Sequence, residues 1–395
     1  VLSLKPNLIA YNAAISACEK GAKWQWAICM FSDTLLRCLS PNVVTHNAAI
    51  SACEKGAQWQ PAIGMLSGML SCRLQPTTIS YNAGISACGN GAQWQHAVGL
   101  LRELFVRRLE PNGVSYIAAI SACEKGAHWQ EALGLLLTVR RNRLQPHVFM
   151  HNAAISACEK GAQWQRALIS LSRMRMRCLE TDAITHNVVI SACERGSQWR
   201  EALGKLAALR TCLLEPSAIA YNAAISACQK CKQWQEALCM FSEMRQQELA
   251  INVESYGTLV GALGKSIQSE GPIATLSHMR LLRLEPDLIT YTSAIAACSE
   301  GSRWQDALDI LADMRQHTLE LDVVTYSAAI SACEKAALWQ DALGLLWDMV
   351  PRRVRHNVIV CSAAISACEK GAQWRAGTSL LSGMGLRRLE PSVIT

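Results

Sequence analysis

The sequence predicts an all-α fold in which about 22 antiparallel helices stack side by side. Three observations lead to this prediction. A phrase typified by NAAISACEKGAQWQ recurs every 35 residues without insertion or deletion. Each 35-residue unit divides into two helical patterns, and strand signals are absent throughout. A period between roughly 20 and 50 residues is typical of solenoids and propellers, in which each unit buries its apolar face against its neighbours.

The repeats occupy almost the whole chain. Residues 1–7 are the end of a truncated repeat, residues 393–395 are the start of another, and 253–287 is a degenerate unit. The eleven units are 8–42, 43–77, 78–112, 113–147, 148–182, 183–217, 218–252, 253–287, 288–322, 323–357 and 358–392. Because solenoids normally end in atypical polar caps, we expect this chain to be a segment of a longer protein.

The second repeat shows both helical patterns. Thr45 is a candidate N-cap for a first helix that runs through Lys55, and Gly56 then supplies a left-handed C-terminal residue. The second helix has apolar residues at the three- and four-residue spacing of an amphipathic helix. These residues are Trp59, Ala62, Ile63, Leu66 and Met69. Pro76 closes the unit.

Cysteine and tryptophan each keep one register in the repeat. Cysteine occupies position 11 in ten repeats, among Ala and Ile, and we expect a small buried side chain in a reducing compartment. Cys228 and Cys231 form a lone CxxC pair without the two further ligands of a structural zinc site. Tryptophan occupies position 17 on the apolar seam of the second helix, where core packing is favoured over a stacking platform for bases.

Composition and motifs exclude several classes of function. The sequence contains no uninterrupted run of about 18 apolar residues, which is the length that a membrane-spanning helix needs. The 38 Lys and Arg against 31 Asp and Glu permit a polyanionic partner without demanding one. The sequence signatures of zinc deaminases, phosphate-binding Gly loops and nucleophile elbows are absent. We therefore expect no enzyme activity, metal or cofactor, and any catalytic domain would lie outside this segment.

One face of the first helix is polar. At 100° per residue, positions 5, 9, 12 and 13 fall within about 100° of one another, so stacked repeats would form a polar groove. Position 13 carries a cation in nine repeats, which suits a polymer with one phosphate per subunit. A cation in the last turn also stabilises any helix. The predicted phosphate-facing residues are Lys20, Lys55, Lys125, Lys160, Arg195, Lys230, Lys265, Lys335 and Lys370.

The segments Val43-Val44-Thr45-His46-Asn47 and Val323-Val324-Thr325-Tyr326-Ser327 resemble the starts of pentatricopeptide repeats. The resemblance covers residues 8–392 and rests on the period, on Pro at position 34 and on Asn, Thr or Ser at position 5. It implies a P-type array folded as a right-handed superhelical solenoid of eleven antiparallel helix pairs. It also implies that the groove binds single-stranded RNA, with each repeat reading one base.

The resemblance gives roles to three positions of each repeat. Position 5 and the last residue contact the base edge, and aliphatic residues at position 2 sandwich the base. The base-reading pairs are Asn12 with Asn42, Asn47 with Thr77, Asn82 with Asn112, Asn152 with Asp182, Asn187 with Ser217, Asn222 with Asn252, Thr292 with Asp322, Ser327 with Asn357 and Ser362 with Ser392. The base-sandwiching residues are Ile9, Val44, Ile79, Val114, Phe149, Ile184, Ile219, Ile289, Val324 and Ile359.

The family's code turns these pairs into an expected ligand. Asn at position 5 favours pyrimidines, Thr with Asp favours guanine, and Ser with Asn favours adenine. We expect an RNA that is pyrimidine-rich toward its 5′ side, with uracil opposite repeat 5 and guanine then adenine opposite repeats 9 and 10.

Two repeats depart from the pattern. Ile117 at position 5 makes repeat 4 a spacer. Repeat 8 has Glu254 in the sandwich register, Gly257 at position 5 and Pro272 in the second helix. We expect that helix to start late, with Pro272 near its first turn, and we expect a bend or a loosened interface there.

The resemblance also suggests where such a protein acts. It implies an RNA-bound monomer in a mitochondrion or chloroplast that takes part in RNA processing, stabilisation, editing or translation. Protein partners or a catalytic domain would lie outside this segment, as would the targeting segment, and no membrane is involved. The alternative is a helical-repeat scaffold that binds a protein segment, but such a groove has no reason to restrict position 5 to Asn, Ser or Thr.

Overall fold

Two α-helices form in every 35-residue repeat. The computed structural model describes residues 7–386 except 38, 178, 180, 212–213, 265–269, 302, 318 and 353, and that part of the chain contains no β-strand. The first helices of the repeats are α1 Leu8–Lys20, α3 Val43–Lys55, α5 Thr78–Asn90, α7 Gly113–Lys125, α9 Val148–Lys160, α11 Ala183–Arg195, α13 Ala218–Lys230, α15 Val253–Leu263, α17 Leu288–Glu300, α19 Val323–Lys335 and α21 Val358–Lys370.

The second helices complete the pairs. They are α2 Trp24–Leu36, α4 Trp59–Ser71, α6 Trp94–Val106, α8 Trp129–Arg141, α10 Trp164–Arg175, α12 Trp199–Thr211, α14 Trp234–Gln246, α16 Glu270–Leu281, α18 Trp304–Gln316, α20 Trp339–Asp348 and α22 Trp374–Leu386. The predicted all-α solenoid of helix pairs is confirmed. No described helix is long and apolar enough to cross a membrane. The predicted site residues Lys265 and Ser392 lie outside the described residues.

The chain divides into two compact units. Residues Val1–Gly196 hold α1–α11, and residues Ser197–Thr395 hold α12–α22. Inside each unit the first helices of successive repeats pack against one another, as α3 does against α1 and α5. Second helices contact the first helix of their own repeat and that of the next. Each unit therefore buries its apolar side chains between two layers of helices.

The last residue of each repeat is the N-cap of the next first helix. Asn42 Oδ1 accepts a hydrogen bond from Thr45 N at 3.0 Å, and Thr45 Oγ1 accepts from Asn42 N at 3.3 Å, which makes a capping box. The predicted N-cap role of Thr45 is therefore wrong, because Thr45 is the third residue of α3. The cap is a residue that the family resemblance also assigns to base reading.

The first helix ends through a left-handed alanine. Gly56 has a φ of −84°, and the next residue, Ala57, has a φ of 54°. Gln58 N then donates to Cys53 O at 2.9 Å, the long hydrogen bond of a Schellman motif. The predicted left-handed role of Gly56 is wrong, since the alanine adopts that conformation.

Glycine at position 14 leaves room for the tryptophan of the preceding repeat. A Cβ added to Gly91 would lie 2.6 Å from Trp59 Cδ1, and one added to Gly126 would lie 2.8 Å from Trp94 Cδ1. Gly21 has no tryptophan before it, and its nearest neighbour would be Ala17 O at 3.5 Å. The recurring Gly and Trp are thus two halves of one contact between neighbouring repeats.

The buried interior consists of the apolar residues of the recurring phrase. Ile50, Cys53 and Ala62 have no exposed surface, and Leu66 has almost none. Burial raises the pKa of the Cys53 thiol to about 11, because the thiolate would lose its hydration. The prediction that position 11 holds a small buried cysteine is confirmed for Cys53 and its buried counterparts.

Position 4 of the first helix holds a buried Tyr or His in ten repeats, and every acidic residue at position 26 occurs with a Tyr. Tyrosine hydroxyls donate to acidic side chains there, namely Tyr81 to Glu103 at 3.0 Å, Tyr291 to Asp313 at 2.9 Å and Tyr326 to Asp348 at 2.6 Å. Where position 26 is Gly68 or Arg173, position 4 is His46 or His151. Burial lowers the pKa of both histidines, so each is neutral at pH 7.

The degenerate repeat 253–287 keeps its helix pair. Its first helix has 11 residues instead of the usual 13. Pro272 lies in the first turn of α16, as predicted, where its missing N–H has no intrahelical partner to lose. Leu276 and Met279 remain buried. The bend expected here stays a prediction, because residues 265–269 lie outside the described part of the chain.

Candidate nucleic-acid interface

A row of exposed apolar side chains lies at the second residue of the first helices. All ten predicted base-sandwiching residues are at least 59% exposed, from Val114 at 59% to Ile9 at 76%. Repeat 8 is the exception, because the exposed residue there is Glu254. A large apolar side chain exposed at the same register in ten repeats contributes little to packing, so the row is available to an apolar ligand surface.

The two predicted base-reading residues of a repeat meet at a third residue, position 3 of the next repeat. At the end of repeat 1, Thr45 Oγ1 lies 2.6 Å from Asn12 Oδ1 and 2.9 Å from Asn42 Oδ1. We call such a set a reading triad. The other complete triads are Asn47, Thr77 and Ser80; Asn82, Asn112 and Ser115; Asn152, Asp182 and Thr185; and Thr292, Asp322 and Thr325.

The charge of the triad in repeat 5 restricts how its protons can be arranged. Thr185 Oγ1 lies 2.5 Å from Asp182 Oδ1 and 2.7 Å from the side-chain amide of Asn152. The hydroxyl has one proton, and a carboxylate can only accept. The structure places Asn152 Oδ1 beside Thr185 Oγ1, so donation from Thr185 to Asp182 requires the amide to turn and to place its nitrogen there instead. Its oxygen is then free to accept a hydrogen bond from a ligand.

The carboxylate of this triad stays ionised at neutral pH. Partial burial acts to raise the pKa of Asp182, but the hydrogen bonds that it accepts from Thr185 and Asn152 outweigh this effect and lower the pKa. Thr185 N also donates to Asp182 Oδ1 at 2.8 Å. Asp182 thus caps α11 and fixes the orientation of the Asn152 amide at the same time.

Three repeats lack the hydroxyl that would join their pair. Ala220 occupies this register after repeat 6. Val360 occupies this register after repeat 10, so Ser327 and Asn357 are not bridged. Met150 occupies it after repeat 4, where position 5 is the predicted spacer Ile117. At all three places the structure provides an N-cap but no complete triad.

Repeat 7 keeps the hydroxyl but not the full contact. Ser255 Oγ donates to Asn252 Oδ1 at 2.8 Å, while Asn222 is buried and its Oδ1 has no hydrogen-bond partner. The remaining pair is incomplete for another reason, because Ser392, the partner of Ser362, lies outside the described residues.

The cations of position 13 that the structure describes are exposed, and the following six contact the preceding repeat. Four of them form ion pairs with the glutamate at position 12, namely Lys55 with Glu19 at 3.4 Å, Lys160 with Glu124 at 3.1 Å, Arg195 with Glu159 at 3.2 Å and Lys370 with Glu334 at 2.9 Å. Lys125 and Lys335 instead donate to Asn90 Oδ1 and Ser299 O. Such exposed pairs contribute little stability, but they reduce the net charge of the row.

The cation row and the triads lie at opposite ends of the first helices. Positions 5 and 13 are separated by eight residues, or roughly 12 Å along a helix axis. The predicted phosphate-facing and base-reading residues therefore form two parallel rows within each unit.

Family comparisons match most of the chain. The PPR repeat family model matches residues 216–265 and 286–335, the pentatricopeptide repeat domain model matches residues 37–91 and 99–161, and the PPR repeat model matches residues 324–350. The chain belongs to the pentatricopeptide repeat family. A sequence search of curated proteins finds no match.

Solved pentatricopeptide repeat proteins resemble the chain in structure. The crystal structure of PPR10 from maize aligns with a TM-score of 0.60 and 17% identity, covering 97% of this chain and 69% of that one. PPR10 in complex with an 18-nt psaJ RNA element aligns with a TM-score of 0.41 and 15% identity, covering 100% and 77%. The PPR domain of Arabidopsis thaliana PRORP1 in complex with tRNA aligns with a TM-score of 0.40 and 14% identity, covering 50% and 95%.

Sequence reasoning missed the bridging hydroxyls of these pentatricopeptide repeats. Position 3 is Thr or Ser in seven of them, and those side chains have no exposed surface. They are Thr45, Ser80, Ser115, Thr185, Ser255, Thr290 and Thr325. A polar residue at one buried register of an otherwise apolar helix face is a signal that the periodic sequence already contained.

Proposed function

We propose that this pentatricopeptide array binds single-stranded RNA along the starts of its first helices, with one base opposite each complete repeat. The observation that carries the proposal is the joint placement of the reading triads and the exposed apolar row. Each triad offers hydrogen-bonding groups for a base edge, and position 2 of the same repeat offers an apolar surface for the base face. The bases of single-stranded RNA expose both their edges and their faces, and repeat proteins recognise RNA through these surfaces.

The triad of repeat 5 supports uracil as its base. The family's code gives a pyrimidine for Asn152. Turning the Asn152 amide so that Thr185 donates to Asp182 alone leaves the amide oxygen as an acceptor for the base. Of the two pyrimidines only uracil carries a ring N–H that can donate to it. We extend the code to the remaining repeats: pyrimidines opposite repeats 1 to 3, guanine opposite repeat 9 and adenine opposite repeat 10.

Phosphate contacts would come from the cation row. Lys160 and its counterparts are exposed, and a phosphate could displace the weak ion pairs that they make with glutamate. This arrangement gives moderate affinity that falls with salt and does not depend on sequence.

We infer a role in organellar RNA metabolism from the family, in a mitochondrion or chloroplast. The array would act by occupying a transcript, thereby shielding it, remodelling it or marking it for processing, editing or translation. A scaffold for a protein segment is the competing role, and it gives no reason for an acid or amide to be held beside position 5.

Titration of the purified chain with labelled pyrimidine-rich single-stranded RNA, and with single-stranded DNA of the same sequence, tests this function. RNA binding that weakens with salt is expected. Ile79→Asp places a charge in the apolar row and should weaken binding, whereas Leu137→Asp, on the exposed side of α8, should not. Absence of RNA binding, or equal effects of the two substitutions, would contradict the proposal.

A further inference from the structure

Three arginines line a pocket at the edge of repeats 4 and 5. Arg140, Arg143 and Arg177 surround a volume of about 440 Å³, together with Gln145 and Pro146 from the loop between α8 and α9. All three arginines are exposed, and within the described residues their guanidinium groups have no ion pair and no hydrogen bond. None of the described residues that line this pocket is a carboxylate.

The equivalent pocket of repeats 8 and 9 is electrically balanced. It is lined at the same registers by Arg280, Arg283, Glu285, Pro286 and His317. Glu285 thus replaces Gln145, and a histidine replaces Arg177. Since the two pockets share their backbone framework, the difference in charge comes from a few side chains.

Position 26 increases the difference. In repeat 9 it is Asp313, which forms an ion pair with Arg280 and accepts a hydrogen bond from Tyr291 at 2.9 Å. In repeat 5 it is Arg173, an exposed cation. Among the described pocket-lining residues and this register, the site in repeats 4 and 5 has four positive charges and no negative one. The site in repeats 8 and 9 has two of each beside the histidine.

An exposed aromatic pair adjoins the arginine pocket. His147 follows Pro146 directly, and its ring stacks on Phe149 with centroids 5.3 Å apart and an angle of 5° between the planes. Phe149 is 67% exposed and is the aromatic member of the apolar row. The pocket residue Pro146 is thus three residues from a member of the row on which the proposed RNA bases would pack, at the end of the repeat whose position 5 cannot read a base edge.

We propose that the arginine pocket of repeats 4 and 5 binds RNA phosphates independently of sequence, next to a base that stacks on Phe149. A guanidinium group can donate two parallel hydrogen bonds to a phosphate group. Any of the four bases can stack on an aromatic ring. Repeat 4 then contributes affinity in place of specificity. This inference rests on the proposed RNA-binding function.

The test compares salt dependence in charge-matched variants. Arg143→Gln/Arg177→Gln removes two charges from the pocket, and Arg73→Gln/Arg108→Gln removes two from position 31 of repeats 2 and 3 in the same unit. Affinity for a fixed single-stranded RNA is measured over a range of salt. The pocket variant should lower the slope of log affinity against log salt by about 0.7 for each phosphate that the arginines no longer bind, with base preferences unchanged. The control variant should change the slope much less.

A graft provides a second variant. Gln145→Glu/Arg177→His gives this pocket two of the residues of its balanced counterpart and should reduce affinity and slope in the same way. Equal slopes for the pocket and control variants, with normal RNA binding by the unsubstituted chain, would overturn this inference alone. Absence of RNA binding by the unsubstituted chain would overturn the proposed function itself.

Discussion

Replacing Thr185 with valine should break one reading triad while the fold stays intact. Thr185 is fully buried, and its Oγ1 lies 2.5 Å from Asp182 Oδ1 and 2.7 Å from the Asn152 amide. Valine has nearly the same shape, and Val360 fills the same buried register after repeat 10. The backbone hydrogen bond from Thr185 N to Asp182 does not need the hydroxyl, so α11 keeps its cap.

The size of the effect follows from the hydrogen bonds that the Thr185 hydroxyl makes. A hydrogen bond to a charged group contributes about 1.5–3 kcal/mol, and the added methyl group recovers about 0.8 kcal/mol by burial. We expect the free energy of unfolding to fall by about 1–2 kcal/mol on this basis. The freed Asn152 amide can then turn either way, so the preference for uracil opposite repeat 5 should fall about fivefold, which corresponds to about 1 kcal/mol.

Urea unfolding and RNA competition measure the two effects. The competing RNAs differ only in the base opposite repeat 5. Thr185→Ser is the matched control, because Ser115 makes both bridging hydrogen bonds at the same register in repeat 4. The reasoning fails if Thr185→Val keeps the base preference, or if Thr185→Ser loses as much of it.

Three further predictions concern packing, pH and charge. Gly91→Ala should lower the free energy of unfolding by about 1–2 kcal/mol, because the added Cβ meets Trp59. Gly21→Ala should raise it by about 0.5–1 kcal/mol. Urea titrations measure both changes, and equal effects would contradict the Gly–Trp contact. Protonation of His46 and His151 is disfavoured in the fold, so the stability should fall as the pH drops below their ordinary pKa of 6.5. The double substitution His46→Tyr/His151→Tyr should reduce that fall in thermal melts at pH 7 and pH 5. An unchanged pH dependence would refute this prediction. Glu124→Gln frees Lys160 and should tighten binding to all RNAs alike, while Lys160→Gln should weaken it; the account would be wrong if either substitution changed base preference.

The periodic sequence was sufficient to predict the helix pairs and the buried cysteine register. It misplaced two local features of the first helix for one reason. Thr45 and Gly56 are a favourable N-cap and a favourable left-handed residue on their own. Residues of the preceding repeat determine both features. Asn42 caps the helix in place of Thr45, and Trp24 packs where a side chain on residue 56 would lie.

The site was only partly predictable for a similar reason. Sequence registers identified Asn152 and Asp182, but their link through Thr185 joins residues 33 positions apart and depends on how successive helices stack. The arginine pocket was missed because Arg140 and Arg177 belong to different repeats, and only the stacked loops bring them together. Side chains that act between repeats are the part that a repeat-by-repeat reading omits.

Selection from a randomised RNA pool by the unsubstituted chain and by Thr292→Asn tests the central claim most directly. Thr292 contacts Thr325 at 2.9 Å, and Thr325 donates to Asp322 at 2.7 Å, so the substitution changes one triad only. If each repeat reads one base, the RNAs enriched by the two chains should differ at a single position, with guanine for the unsubstituted chain and a pyrimidine for Thr292→Asn. The salt dependence of binding should be the same for both chains. Changes spread over several positions, or no enrichment by either chain, would contradict the account.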